Sequence, residues 1–123
     1  MHFRIAVCVA AVVAAAWGQD WPQWRGPGHT GHVAPGATVP ATLPAEPKTI
    51  WRIKVGEGLA SPVVAQDKVV YFDAAEGKET LHVIDAASTK ELWREVVDDT
   101  FKDGQGPAGP RCTPMVDGSR VYA

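Results

Sequence analysis

The stretch SPVVAQDKVVY, residues 61–71, decides the fold, because most of it returns later in the chain as TPMVDGSRVY, residues 113–122. Each copy begins with a hydroxyl residue and a proline, continues with apolar residues, crosses a polar turn and ends in Val-Tyr. Aligned in this way, the turn is one residue longer in the first copy than in the second. Recurrence after roughly fifty residues indicates one repeated supersecondary unit.

Short β-branched and aromatic runs, separated by turn residues roughly every ten positions, surround the two copies. They predict antiparallel strands joined by hairpins, and no amphipathic helix competes with this pattern. The predicted turns are Gln66-Asp67, Glu76-Gly77-Lys78 and Asp117-Gly118-Ser119. The predicted strands cover residues 50–55, 61–65, 68–73, 80–85, 91–97, 113–116 and 120 onward.

Units of about four short strands are typical of a β-propeller, because a single blade cannot bury both of its faces alone. The sequence therefore predicts an all-β fold of the propeller type in residues 49–123, with one full four-stranded blade and the start of a second. A closed ring needs at least about four blades, so we expect these repeats to be incomplete.

The first 18 residues are interpreted as an export signal. Arg4 precedes an apolar run over residues 5–16, and Ala16 and Gly18 provide the small side chains that a cleavage site requires. The apolar run is shorter than the roughly 20 residues of a membrane span. We therefore expect an exported protein, periplasmic or extracellular after cleavage, with no transmembrane span.

Residues 19–48 are interpreted as a Pro/Gly-rich N-terminal arm, since their prolines exclude a helix or a central strand. Within the arm, DWPQWRGP at residues 20–27 places two tryptophans beside Arg25, whose guanidinium can stack on an indole. We interpret Trp21 and Trp24 as a clamp that buries against the following domain, with a carbohydrate-binding platform as the alternative.

The stretch DAASTKELW, residues 85–93, resembles the blade signature of pyrroloquinoline-quinone-like (PQQ-like) propeller repeats, which usually runs Asp-Ala-x-Thr-Gly-Lys-x-x-Trp. Asp85, Lys90 and Trp93 match the signature, whereas Thr89 stands at its glycine position. The Asp85 carboxylate is expected to stabilise the turn, and Trp93 to pack between neighbouring blades. The Trp-Pro-Gln-Trp-Arg-Gly-Pro opening also looks like the start of exported bacterial members of this family.

The resemblance implies a quinoprotein-like propeller of about six to eight blades in the intact protein. Residues 50–55 resemble the outer, tryptophan-bearing strand of a blade and are the expected closing strand from the N-terminus. Relatives of this kind include quinone-dependent alcohol dehydrogenases, an outer-membrane assembly lipoprotein that scaffolds a β-barrel insertion machine, and many uncharacterised exported propellers.

Two functions follow from the resemblance. The first is a binding or scaffold module of the cell envelope, with an envelope protein, a small molecule or a carbohydrate bound at the propeller face. The alternative is a PQQ-dependent alcohol dehydrogenase whose quinone and calcium would be held mainly by other blades. The adjacent cysteine pair that caps the quinone in some such enzymes is missing from this sequence. We assign no catalytic residue and no metal ligand here, and expect no cofactor in this part of the chain outside the dehydrogenase alternative.

Arg111 is the one candidate ligand-binding residue. It lies in residues 109–113, which lead into the repeated strand and, in a propeller, stand at the rim of the central channel. The pattern Gly-Pro-Arg, a small residue and then Thr-Pro also resembles blade entries of the family. Arg111 is predicted to bind a cofactor carboxylate or another anion, with an ion pair between blades as the alternative.

The neighbouring polar residues are interpreted as structural or solvated. Asp98, Asp99 and Asp103 form an acidic cluster without the spacing of a calcium loop, so we expect solvated surface acids. Cys112, the one cysteine outside the export signal, is expected to be buried, with a reactive thiol or a disulfide to a cysteine beyond residue 123 as the alternatives. The formal net charge of −2 and the absence of a basic stripe argue against a nucleic-acid partner.

The histidines outside the export signal are given no catalytic or metal-binding role. His29 and His32 lie three residues apart in the arm, where no helix aligns them and no third ligand is evident. His82 is predicted to lie in mid-strand and to project to the face opposite Leu81 and Val83.

Overall fold

The computed structural model describes residues 19–37 and 39–123, so the predicted export signal, residues 1–18, lies outside the described residues. In the described part, the chain is all-β and no helix is long and apolar enough to cross a membrane. A four-stranded antiparallel sheet has the order β1-β2-β3-β4, and β5 and β6 form a second sheet. The strands are β1 Val63–Ala65, β2 Lys68–Ala75, β3 Lys78–Asp85, β4 Glu91–Asp99, β5 Met115–Asp117 and β6 Arg120–Tyr122.

The all-β prediction is therefore confirmed, and the seven predicted strands include counterparts of all six observed ones. The two sheets do not close into a ring within the described residues. The propeller arrangement thus stays a prediction.

Hairpin turns occur at all three predicted positions. Gln66 and Asp67 have φ angles of 53° and 59°, and Glu76 and Gly77 have φ angles of 53° and 80°. Two consecutive positive φ values are typical of the type I′ turn, whose twist matches that of the flanking strands. In the third turn only Gly118 has a positive φ, of 56°. These turns explain why consecutive strands pair as antiparallel neighbours.

The strand register corrects the alignment of the two repeat copies. Ala65 pairs with Lys68, and Asp117 pairs with Arg120, so both hairpins have two-residue turns. The expectation of a longer turn in the first copy is wrong. Because residues 69 and 70 are both valine, the sequence permits two alignments. The pairing selects the one in which Val121 is equivalent to Val69.

The entries to the two hairpins lie side by side. The Ser61 amide donates to Thr113 Oγ1 over 3.4 Å, and the amides of residues 59 and 60 both donate to the Pro110 carbonyl, over 2.9 and 3.2 Å. Strands β1 and β5 begin after Pro62 and Pro114, two residues later than predicted, and proline has no N–H to donate to a ladder. The two Ser/Thr-Pro segments therefore occupy adjacent and similar positions.

One face of the four-stranded sheet, the core face, carries the hydrophobic core. Strand alternation directs five buried side chains to this face: Val63, Val70, Phe72, Leu81 and Val83. Val116 and Val121 of the second hairpin pack against them. The second repeat copy thus covers the core face of the first sheet.

Residues 50–57, the strap, cross from one end of β2 to the other without joining the sheet as a strand. The Trp51 indole N–H donates to the Ala86 carbonyl over 2.8 Å, and Glu57 forms an isolated bridge with Ala74. The predicted strand at residues 50–55 is wrong. Its apolar pattern is that of a strand, but no strand among the described residues lies beside the segment to supply a hydrogen-bond ladder.

The turn after β3 confirms the structural role expected for Asp85. Its Oδ1 accepts hydrogen bonds from the Ser88 amide at 2.7 Å and the Ser88 hydroxyl at 2.6 Å. Hydrogen bonding by Ser88 lowers the pKa of Asp85 below its ordinary value of 3.8. Thr89, at the glycine position of the blade signature, has a φ of 61°. A β-branched residue in this left-handed region is strained.

Replacing Thr89 with glycine should therefore raise the free energy of unfolding by about 1 kcal/mol, because glycine adopts a positive φ without steric cost. Urea denaturation followed by tryptophan fluorescence measures the change. Thr89→Ala is the matched control, since it removes the hydroxyl and keeps the Cβ. A glycine variant no more stable than the alanine variant would contradict the strain at this position.

Candidate functional site

Arg111, the sequence-predicted ligand-binding residue, is already engaged by a carboxylate. Its two terminal guanidinium nitrogens each lie 2.8 Å from one oxygen of Asp103, in a bidentate pair. The guanidinium also lies 5.1 Å from the centre of the Phe101 ring. Arg111 therefore forms an ion pair, which was the alternative to ligand binding. The pair lies within one loop, however, and not between two blades as that alternative had it. Binding of a cofactor or another anion by Arg111 stays a prediction.

Asp103 is an exposed residue, as expected from the sequence, but its carboxylate is paired with Arg111 rather than free. The hydrogen bonds from Arg111, followed by that from the Gln105 amide, lower the pKa of Asp103 below its ordinary value of 3.8. A carboxyl whose folded-state pKa is lowered stabilises the fold above its unfolded pKa and loses that contribution as the pH falls.

An NMR titration of the Asp103 side chain should therefore show a midpoint below 3.8, the ordinary value. Replacing Arg111 with glutamine should raise this midpoint, because the variant loses the charged hydrogen bonds. Arg94→Gln is the matched control: Arg94 lies beside Glu91 and should leave the Asp103 titration unchanged. An unchanged midpoint in Arg111→Gln would show that the pair does not form in solution.

The loop that carries Arg111 borders a shallow acidic cavity of about 430 Å³. Glu79, Asp98 and Asp99 line it from the sheet side, and Arg111 and Cys112 from the loop side. Glu79 is buried and accepts a hydrogen bond from the Phe101 amide over 2.9 Å. Cys112 is a free, exposed thiol, so the expectation that it is buried is wrong.

Gly109 allows this loop to approach the sheet closely. It has a φ of 102°, and an added Cβ would lie 2.7 Å from the Glu57 carbonyl oxygen. No side chain fits that gap. The position of Arg111 therefore depends on a glycine two residues before it.

A network of three polar side chains lies on the opposite face of the sheet, here called the strap face. His82 of β3 places its Nδ1 3.0 Å from Glu91 Oε2 and its Nε2 3.2 Å from Asp73 Oδ1. Asp73 Oδ2 accepts the Gly56 amide at 2.6 Å, which ties the strap to the sheet. Tyr71 stacks on the His82 ring, with ring centres 4.6 Å apart and planes inclined by 6°.

This network fixes the strap against the sheet through the buried side chain of Asp73. Asp73 is 7% exposed, and its Oδ1 is buried without a hydrogen bond of good geometry, even though Nε2 is near. Burial, followed by the charges of Asp73 and Glu91, raises the pKa of Tyr71.

His82 lies on the face that its sequence position predicts, whereas its partners could not be read from the sequence. The prediction that His82 projects opposite Leu81 and Val83 is confirmed, since those two side chains lie on the core face. Strand alternation would have put Tyr71 and Asp73 on one face of β2. Only the observed register, which pairs Tyr71 with His82, brings them together.

The arm contacts β1 of the four-stranded sheet and β5 of the second sheet, as a clamp would. Trp21 forms a two-sided backbone bridge with Val64, with N–O distances of 2.7 and 3.0 Å, and the Pro22 carbonyl accepts the Val116 amide over 2.8 Å. Trp24 is 59% exposed, with the Arg25 guanidinium 5.3 Å from its ring centre. The predicted Arg25 stacking is confirmed, whereas burial of both tryptophans is confirmed only in part, for Trp21.

Strand β4 is the outer edge of the sheet, and every residue in it is exposed. Trp93 lines a cleft of about 670 Å³ between the core face and the second hairpin. Two bulges interrupt the pairing with β3, so that neither Leu92 nor Val97 has a direct partner there. The large apolar side chains of β4, Leu92, Trp93, Val96 and Val97, are between 46% and 55% exposed.

A scan against protein-family models found no match, and searches of curated proteins and of solved structures found none either. Within residues 19–37 and 39–123, no three His, Cys, Asp or Glu side chains converge where they could hold a metal ion. Arg111, the candidate ligand-binding residue, faces Asp103.

Proposed function

We propose that this chain belongs to an exported β-propeller protein of the PQQ-like type that acts as a binding or scaffold module in the cell envelope. The observation that carries the proposal is the recurrence of one hairpin in two adjacent positions. Both copies start with Ser/Thr-Pro, turn over two residues and begin side by side, with Ser61 donating to Thr113.

The packing of the second copy supports a repeat architecture. Val116 and Val121 cover the core face of the first sheet. Their equivalents in the first copy, Val64 and Val69, lie on the strap face by strand alternation. In the second copy these two positions pack on the sheet formed by the first copy. In the first copy the same positions lie on the strap face, where a preceding repeat could pack in the same way. Stacking of this kind is how repeats build a continuous core.

The surface of the repeat supports binding more than catalysis. Two clusters of titratable groups are engaged internally: Arg111 with Asp103, and His82 with Asp73 and Glu91. Among the exposed apolar side chains, Leu92, Trp93, Val96 and Val97 lie together on the edge strand β4. A rigid sheet with an apolar exposed margin is suited to contact with another macromolecule.

The export part of the proposal is tested by expressing the chain with a C-terminal tag in a bacterium and fractionating the cells. The mature protein should reach the envelope fraction and lack residues 1–18 by mass spectrometry. Val12→Arg, which places a charge in the apolar run, should hold the full-length protein in the cytoplasm. Equal distribution of the two proteins would contradict export.

The function itself is tested by incubating the purified protein with the quinone and Ca²⁺, and separately by crosslinking the tagged protein in intact cells. The proposal expects no quinone chromophore and a reproducible crosslink to one envelope protein. A bound chromophore with dye-linked alcohol oxidation would instead establish the dehydrogenase. If the protein neither crosslinks to an envelope protein nor binds the quinone, the binding function would be rejected.

A further inference from the structure

The outer edge of β4 combines exposed apolar side chains, free backbone groups and unbalanced negative charge. We propose that this edge docks an extended, basic segment of a protein partner, which pairs with β4 as an additional strand. The inference rests on the proposed binding function and names its surface and the kind of partner it fits.

The backbone of β4 is available on one side. One edge of the strand pairs with β3, and no strand of the described residues lies beside the other. Alternate amide and carbonyl groups of an edge strand point outward and are ready to pair with an added strand. The bulges at Leu92 and Val97 interrupt the strand and leave residues 93–96 as a regular stretch between them. Pairing should centre on that stretch.

The charge of β4 selects the partner. Asp99 is bound by Lys78, and Glu91 lies beside both His82 and Arg94. Glu95 and Asp98 take part in no ion pair within the described residues. Opposite charges on directly facing residues stabilise strand pairs. A partner strand with lysine or arginine at alternate positions, and β-branched residues between them, matches this pattern.

A second copy of the chain does not match it. Two identical antiparallel strands are related by a two-fold axis that is perpendicular to the sheet and lies between the strands. Directly paired side chains must point to the same face of the sheet. One residue of the strand must therefore lie directly opposite its own copy. Within the regular stretch the inner positions are Arg94 and Glu95. Either choice sets two like charges directly opposite each other, which is unfavourable. If two copies of β4 paired about a residue other than Arg94 or Glu95, the paired region would include a bulge.

The test uses the full mature chain and two blocked peptides of equal length, one alternating lysine with valine and one alternating glutamate with valine. Binding is measured by fluorescence anisotropy of the labelled peptide, and the site by backbone amide NMR shifts. We expect the lysine peptide to bind with shifts centred on residues 92–98 and the glutamate peptide to bind at least about tenfold more weakly.

Charge variants and backbone variants separate the two parts of the proposal. Glu95→Lys with Asp98→Lys should weaken the lysine peptide about tenfold and strengthen the glutamate peptide, because both cross-strand charge pairs reverse. Glu46→Lys with Glu57→Lys adds the same charge at exposed positions away from β4 and should change binding little. Methylating the peptide nitrogens along one edge should abolish binding, whereas methylation along the other edge should not.

Three results would overturn the proposal: equal binding of both peptides, shifts that lie away from β4, or tolerance of methylation along both edges. Dimerisation that is lost in the β4 charge variant would also overturn it, since it would make a second copy the occupant. These outcomes are separate from the envelope crosslink and quinone tests. A protein crosslinked through another surface would retain the proposed function and reject the β4 site.

Discussion

Replacing Phe72 with alanine should lower the free energy of unfolding by about 3–5 kcal/mol, the cost of emptying an aromatic site in a close-packed core. Phe72 is 5% exposed and lies among the core-face valines and Leu81, beneath the second hairpin. Urea denaturation monitored by circular dichroism measures the loss. Val97→Ala is the matched control, because Val97 is exposed on β4 and should cost less than about 1 kcal/mol.

This core prediction also tests the docking of the second hairpin. Val121→Ala removes contacts from the other side of the same core and, because the two sites share partners, its effect should not add to that of Phe72→Ala. Strict additivity would indicate that β5 and β6 do not rest on the core face in solution.

Replacing His82 with alanine should lower the free energy of unfolding by about 2–3 kcal/mol, because it removes the side chain nearest to the buried Asp73 Oδ1 and the ring that stacks on Tyr71. The half-exposed Glu91 should contribute little of this loss. Chemical denaturation at neutral pH measures the change. Arg94→Ala, on the exposed side of Glu91, is the control and should cost less than about 0.5 kcal/mol.

A double-mutant cycle identifies the source of the effect. Asp73→Asn removes the charge and retains an oxygen that can accept the Gly56 amide. In the Asp73→Asn background, His82→Ala should cost much less than in the unmodified protein. An unchanged cost would mean that His82 contributes through its stacking on Tyr71 rather than through Asp73.

The hairpins could be predicted from the sequence because their signals are local. Turn residues such as Gln66-Asp67 and Glu76-Gly77 specify both where the chain reverses and how the strands twist. The turn after β3 was predictable in the same way, since Asp85 and Ser88 are only three residues apart. In each case the residues that make the contact are close in sequence.

The strap shows where local reasoning fails. Residues 50–55 have the composition of a strand, but strand structure requires a hydrogen-bonded neighbour that composition does not reveal. The segment is held instead by Trp51 on Ala86 and Gly56 on Asp73, two contacts with distant residues. The His82 network was missed for a related reason, since its members come from three strands whose register had to be known first.

The arm sets an order on the assembly of the molecule. Residues 21 and 22 bond both to Val64 and to Val116, so they complete their contacts only when both hairpins exist. In a chain made from its N-terminus, the Trp21 bridge to Val64 can form before residue 116 exists, whereas the contact of Pro22 with Val116 must follow it. The arm therefore joins the first hairpin before it can fasten the second hairpin to it.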